Sequence, residues 1–197
     1  MLRWAEEPET PRVSHVGGQE FRHDRPDRVV VGTVGEPGQR TFYLQARSTG
    51  TLTSVVLEKA QVAALAERLE EMLDSVVRRS GGQTPVPAET PDKVDDLGPL
   101  DLPLEDEFRV GTLAMAWLAE EEQVEIIATE VGGEGSEEDA ADLSSLTVRL
   151  SGAAARAFIS RARAVVSAGR APCPLCAQPL DPAGHVCPRQ NGFHRRS

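Results

Sequence analysis

Cysteine is scarce in this chain of 197 residues, which has three cysteines and places all of them between residues 173 and 187. An odd number of cysteines confined to one short stretch does not fit the disulfide framework of a small secreted domain. The first 20 residues contain no apolar segment of the kind that secretory signals carry. No run in the chain approaches the ~20 apolar residues of a membrane-spanning helix. We therefore expect a cytoplasmic protein.

Aromatic residues are also few, at 4%, whereas hydrophobic residues as a class reach 40%. A core built mainly of Val, Leu and Ala is therefore expected, in a chain long enough for one ordinary domain and an appendage. Because base stacking needs aromatic side chains, their scarcity weighs against a protein that holds single-stranded nucleic acid.

Positive charge is scarce in most of the chain, whose net charge is -10. Residues 1–152 carry 14 Lys and Arg against 30 Asp and Glu, whereas residues 153–197 carry seven Arg and a single acid, Asp181. This asymmetry predicts either an acidic partner for the C-terminal segment or contact between that segment and the acidic body.

Recognised catalytic patterns are missing as well. The glycines at positions 32, 35 and 38 lack the Gly-Lys-Ser/Thr ending of a phosphate-binding loop, and a strand pattern follows them instead of a helix, so a turn is expected there. The chain contains neither a His-Glu-x-x-His motif nor a Ser-His-Asp pattern. His15 and His23 are expected to be solvated.

Hydrophobic periodicity predicts an α+β fold in which two β-β-β-α repeats form an antiparallel sheet, or two packed half-sheets, covered by two helices. A short edge strand is expected at 19–23. The expected strands are 28–34, 40–47, 52–57, 108–118, 123–131 and 146–150, and the expected helices are 58–79 and 153–168. The predicted divisions are a disordered leader at 1–18, repeats at 19–80 and 108–170, an acidic linker at 81–107, and a zinc-binding tail at 171–197.

The cysteines predict a metal site. Cys173 and Cys176 form a C-x-x-C step, and His185 and Cys187 are two residues apart, so both point to the same side of an extended segment. Three thiolates and one imidazole are a common set for structural Zn²⁺, with no position left open for catalysis. His194 is an alternative to His185. A redox pair, a catalytic metal and free thiols are competing interpretations, although the prolines after Cys176 do not fit the helix that a thioredoxin-like motif begins.

The arginines of the C-terminal quarter allow a second hypothesis. Arginines beside a zinc knuckle can bind phosphates, so nucleic acid is a candidate partner. The alternative is that these arginines pair with the chain's own acids. The candidate nucleic-acid contacts are Arg161, Arg163, Arg170, Arg189, Arg195 and Arg196.

Several stretches carry a family resemblance: "RVVVGTVGEPGQRTFYLQAR", "LEKAQVAALAERL", "DEFRVGT" and "GRAPCPLCAQPLDPAGHVCPRQNG". Together they resemble an uncharacterised actinobacterial family of unknown function, whose members are described as repeat proteins. The resemblance implies a cytosolic protein with a C-terminal C-x-x-C…H-x-C finger and implies no activity. We expect a non-enzymatic, zinc-containing binding or adaptor protein that contacts a protein partner or self-associates. The alternatives are a nucleic-acid-binding protein and an enzyme with a pocket between the repeats.

Overall fold

A computed structural model of the chain describes residues 17–36, 38–81, 83–89, 96–132 and 142–168, together with residues 173, 175, 176, 187 and 189. The elements follow one another as a short strand and two successive β-β-β-α units. The strands are β1 (Glu20–His23), β2 (Arg28–Val34), β3 (Thr41–Ser48), β4 (Thr51–Leu57), β5 (Val110–Leu118), β6 (Gln123–Glu130) and β7 (Ser145–Ser151). The helices are α1 (Lys59–Arg79) and α2 (Gly152–Ser167).

The described strands form two sheets, and the predicted α+β class is confirmed. One sheet has the order β2-β3-β4 and the other has the order β1-β7-β6-β5. Neighbouring strands are antiparallel with one exception, because β1 pairs with β7 in parallel. A tight turn forces two strands to be antiparallel, but β1 and β7 lie more than a hundred residues apart, so no turn sets their direction. The strand β1, which precedes the first unit in the chain, therefore belongs to the sheet of the second unit.

A tight turn joins β2 to β3, as the glycines in this stretch predict. The Gln39 N–H donates to the Glu36 carbonyl oxygen at 2.9 Å, which closes a four-residue turn. Gly38, the third residue of that turn, has a φ of 100°. Residues that have a Cβ atom rarely adopt this backbone conformation, which is why a type II turn favours glycine there.

The two helices pack against each other and against the sheets. Four apolar side chains on one stripe of α1 are fully buried: Val62, Leu65, Leu69 and Leu73. The helix ends at Arg79, and Gly81 follows with a φ of 60°. No helix in the described ranges is long and apolar enough to cross a membrane.

One apolar core joins both sheets and both helices. It is almost entirely aliphatic, as the composition predicts, and its largest fully buried members include Leu44, Leu65, Leu69, Leu73, Ile126 and Leu146. Because both β-β-β-α units contribute to one cluster, neither unit has a core of its own.

Residues 96–101, which we call the strap, lie across the second face of the β2-β3-β4 sheet. Gln45, buried on that face, accepts a hydrogen bond from the Asp101 N–H at 2.7 Å and donates to the Asp101 carbonyl at 3.1 Å. A Cβ added to Gly32 would approach the Leu100 side chain to 2.6 Å, so the missing side chain makes room for Leu100. The predicted linker therefore includes a segment that is part of the folded body.

Candidate metal centre

The three cysteines meet at one place. Their Sγ atoms all lie within 4.8 Å of one another, and the Sγ atoms of Cys173 and Cys187 are 3.8 Å apart. Cys173 and Cys187 are buried and Cys176 is half-buried. Cys187 therefore lies beside Cys173 and Cys176 although it follows Cys176 by eleven positions in the chain.

The spacing of the sulfur atoms fits a tetrahedral metal. A Zn–S bond of about 2.3 Å at tetrahedral angles places neighbouring sulfurs about 3.8 Å apart. The Cys173–Cys187 separation matches this edge, whereas a disulfide brings its two sulfurs to about 2.05 Å. All three cysteines carry free thiols. Three converging sulfurs are a soft donor set, which favours Zn²⁺ over Mg²⁺ or Ca²⁺.

The backbone of the C-x-x-C step stabilises a thiolate at its first position. Hydrogen bonds from the backbone N–H groups of Cys176 and Leu175 lower the pKa of Cys173, and the Leu175 nitrogen lies 3.4 Å from the sulfur. Such bonds favour the charged form, which is the form that binds a metal. Arg189 donates from Nη1 to the Leu175 carbonyl at 3.0 Å, which ties the segment after Cys187 to this turn.

Three of the four predicted metal ligands are therefore brought together. The fourth, His185, and its alternative, His194, lie outside the described residues. A tetrahedral site requires a fourth ligand. The identity of that ligand and the identity of the metal stay predictions.

Three of the candidate nucleic-acid contacts, Arg161, Arg163 and Arg189, are described, and each donates to groups of the chain itself. Arg161 is buried, and its Nε and Nη2 donate to the Val31 and Gly98 carbonyls at 2.6 and 2.7 Å. Arg163 forms a two-pronged ion pair with Glu70, in which Nη1 donates to Oε1 at 2.7 Å. Arg189 bonds Leu175 as described above. Three further candidates lie outside the described residues: Arg170, Arg195 and Arg196.

The pattern of the sequence did not reveal a polar cluster around the strap. Arg28 and Arg161 both bond Asp96, and Arg28 also donates to the Gly98 and Pro99 carbonyls at 3.2 and 2.9 Å. The Arg28 guanidinium lowers the pKa of Asp96. Because 65 residues separate Asp96 from Arg161, no local spacing indicates their contact.

His23 is a correction to the sequence analysis, because it is buried and not solvated. Only 2% of its surface is exposed. Its Nδ1 lies 2.6 Å from the Ser48 hydroxyl and its Nε2 lies 2.9 Å from the Thr53 hydroxyl. Burial lowers the pKa of the ring. The imidazole joins β1 of one sheet to β3 and β4 of the other, a contact that depends on the tertiary fold.

A small cavity lies between β2 of the first unit and α2 of the second, with a volume of about 130 Å³. Its polar wall is formed by Asp27, Arg28, Asp96 and Arg161, and Phe158 contributes to the apolar wall. Among the described residues, the lining contains no Ser, Thr, Cys, His or Lys. The Arg28 and Arg161 guanidinium groups that line it already bond the Asp96 carboxylate.

The chain belongs to the family described as "Protein of unknown function (DUF3090)", whose model matches residues 21–187. The match begins in β1 and ends at Cys187, so it includes all three cysteines. No curated relative and no solved structure matches the chain.

Proposed function

We propose that this member of the DUF3090 family is a non-enzymatic, zinc-containing binding or adaptor protein of the cytoplasm. One structural Zn²⁺ would be held by the thiolates of Cys173, Cys176 and Cys187 and by His185. The observation that supports the proposal most strongly is the convergence of the three sulfur atoms within 4.8 Å.

The proposed role of the ion is to fix the shape of the C-terminal segment. That segment is too short to bury a core of its own, and small metal sites supply the folding free energy that burial cannot. A site filled by four protein ligands keeps no position for a water or a substrate, which favours a structural role over a catalytic one.

A protein partner is proposed in preference to nucleic acid. Arg161 donates to the Val31 carbonyl in the interior, and Arg163 pairs with Glu70. The body of the chain is acidic. Phosphate contacts require free guanidinium groups and a positive field, and they make affinity fall steeply with salt. Absence of binding to labelled RNA and DNA at low salt is the expected result.

Substitution of one ligand separates the metal site from the folded body. We expect Cys173→Ser to lose the metal and to increase proteolysis after α2, because one thiolate provides a large share of the binding free energy. The two sheets and two helices should stay folded, because their core consists of other residues. Leu175→Ser is the matched control, since Leu175 lies in the same turn, is 48% exposed and contributes its backbone N–H and carbonyl, which the substitution keeps.

Metal content, limited proteolysis and thermal unfolding of the two variants test the proposal. Full metal retention in Cys173→Ser would contradict the assigned ligand set. Global unfolding of this variant would show that the C-terminal segment belongs to the main core. If His194→Ala loses the metal and His185→Ala retains it, the fourth ligand is His194 and not His185.

A further inference from the structure

The two sheets of the described chain have four edges, which are β1 and β5 in one sheet and β2 and β4 in the other. An unpaired strand edge presents rows of N–H and C=O groups that can pair with another chain. Proteins therefore shorten, charge or cover such edges. An edge that is long, uncharged and uncovered would therefore indicate a surface at which another chain can pair.

Three of the edges are protected. The β1 strand has only four residues, and two of them, Glu20 and Arg22, are charged. The β2 edge is covered by α2, whose Arg161 donates to the Val31 carbonyl at 2.6 Å. The β4 edge is bonded by the chain that approaches β5, because the Val56 N–H donates to the Phe108 carbonyl at 2.9 Å.

The fourth edge, β5, has no such protection along most of its length. The strand has nine residues, VGTLAMAWL, with no charged residue and no proline. Gln61 of α1 donates to the Val110 carbonyl at 3.0 Å, which covers the beginning of the strand. In the part of the chain that the structure describes, no strand pairs with β5 on the side away from β6. A long, uncharged edge of this kind is a template for strand addition.

The surface beside this edge is partly apolar. Ala114 and Ala116 are exposed on one face of β5. On the other face, a groove with a volume of about 580 Å³ lies between the end of α1 and β5. It is lined by the apolar Met72, Val76 and Trp117 and by the polar Ser75, Arg79 and Ser80. An edge with apolar side chains on both of its faces can bury them as well as pair backbone groups.

We infer that β5 is a dimer interface, in which the β5 strands of two copies pair antiparallel about a twofold axis. The two four-stranded sheets would then form one continuous sheet. We assign the partner strand to a second copy of this chain for an electrostatic reason. Two chains of net charge -10 repel each other at most surfaces, but a strand without charges can meet its own copy without opposing like charges. A twofold interface is also the commonest form of self-association.

This inference concerns a different surface from the metal centre and goes beyond the proposed function. Its test is the mass of the full chain in solution, measured by light scattering over a range of concentrations. We expect a mass that reaches twice the 21.2 kDa of the chain. The Ala114→Lys/Ala116→Lys variant should dissociate, with a dissociation constant raised about tenfold or more, because in a register centred on Met115 each lysine faces another.

The control variant, Gln39→Lys/Thr51→Lys, adds the same two charges at exposed positions, one in the turn between β2 and β3 and one at the start of β4, and should dimerise like the parent chain. Hydrogen exchange locates the interface: the amides of residues 112–118 that point away from β6 should be protected in the dimer and exchange faster in the lysine variant. A monomer at all concentrations overturns the inference, as does a dimer that the β5 lysines leave intact. Protection of these amides in a monomer also overturns it, because a segment of the same chain would then cover the edge.

Discussion

Replacing Arg161 by Met should destabilise the protein by about 2 to 3 kcal/mol, because a buried carbonyl oxygen left without a donor costs about 1–3 kcal/mol. Arg161 is 6% exposed and donates to the Val31 carbonyl at 2.6 Å and to the Asp96 carbonyl. It also donates to the Gly98 carbonyl at 2.7 Å, which keeps Arg28 as a second donor. Methionine keeps the aliphatic length of the side chain and its helix propensity, so the change removes mainly the hydrogen bonds.

Two effects limit this magnitude. The Asp96 side chain is 40% exposed and keeps its bonds to Arg28, so its carboxylate is not left as an unpaired buried charge. Burial also lowers the pKa of Arg161, because desolvation disfavours the charged guanidinium, and Met carries no such charge. Without these offsets, the three carbonyl contacts of Arg161 would suggest a larger loss.

Chemical denaturation at neutral pH measures the effect, with Arg163→Met as the matched control on the same helix. The Arg163 side chain is 53% exposed and pairs with Glu70, so its loss should cost under about 1 kcal/mol. Equal losses in the two variants would refute the reasoning. A loss in Arg161→Met below about 0.5 kcal/mol would show that the strap is not held by its carbonyl contacts.

Two further predictions concern buried positions of the β2-β3-β4 sheet and its junction with β1. Burial lowers the pKa of His23, so the unfolded chain binds the proton first, and stability should fall as the pH drops from about 8 to about 5. Denaturation midpoints should show a smaller fall in His23→Gln, and an unchanged pH dependence would contradict the buried neutral ring. Gly32→Val should destabilise by about 1–3 kcal/mol, because its Cβ would meet Leu100 at 2.6 Å. A neutral effect in thermal unfolding would show that the strap moves aside at little cost.

The regular elements could be predicted from the sequence because their signals are local. The stripe of Val62, Leu65 and Leu69 predicts both α1 and its buried face, and the burial of all three confirms it. The β-branched run at 28–34 predicts β2 with the same bounds. In both cases the pattern that determines the element lies within the element itself.

The strap could not be predicted because its signals are distant. Its Pro, Gly and Asp residues are typical of a linker, and its partners Arg28 and Gln45 lie more than fifty residues earlier in the chain. The covering of the second sheet face also explains why Gln45 and Ser54 are buried among apolar neighbours. Contacts of this kind become visible only when the topology is known.

The candidate metal centre could be predicted in part from local spacing and depends in part on distant contacts. The C-x-x-C step predicts that Cys173 and Cys176 act together, since a two-residue spacing fits one ion. The recruitment of Cys187 depends on how the chain returns to the step, and the 3.8 Å separation of its sulfur from that of Cys173 supports this part of the prediction. Spacing alone does not choose between His185 and His194.

X-ray absorption at the zinc edge, combined with elemental analysis of the native protein, tests the central claim most directly. We predict one zinc per chain, with a first shell of three sulfurs at about 2.3 Å and one nitrogen at about 2.0 Å. The three sulfurs would be those of Cys173, Cys176 and Cys187, which lie within 4.8 Å of one another. Native protein purified without chelators that contains no stoichiometric metal would contradict the account, and so would a zinc shell with fewer than three sulfurs.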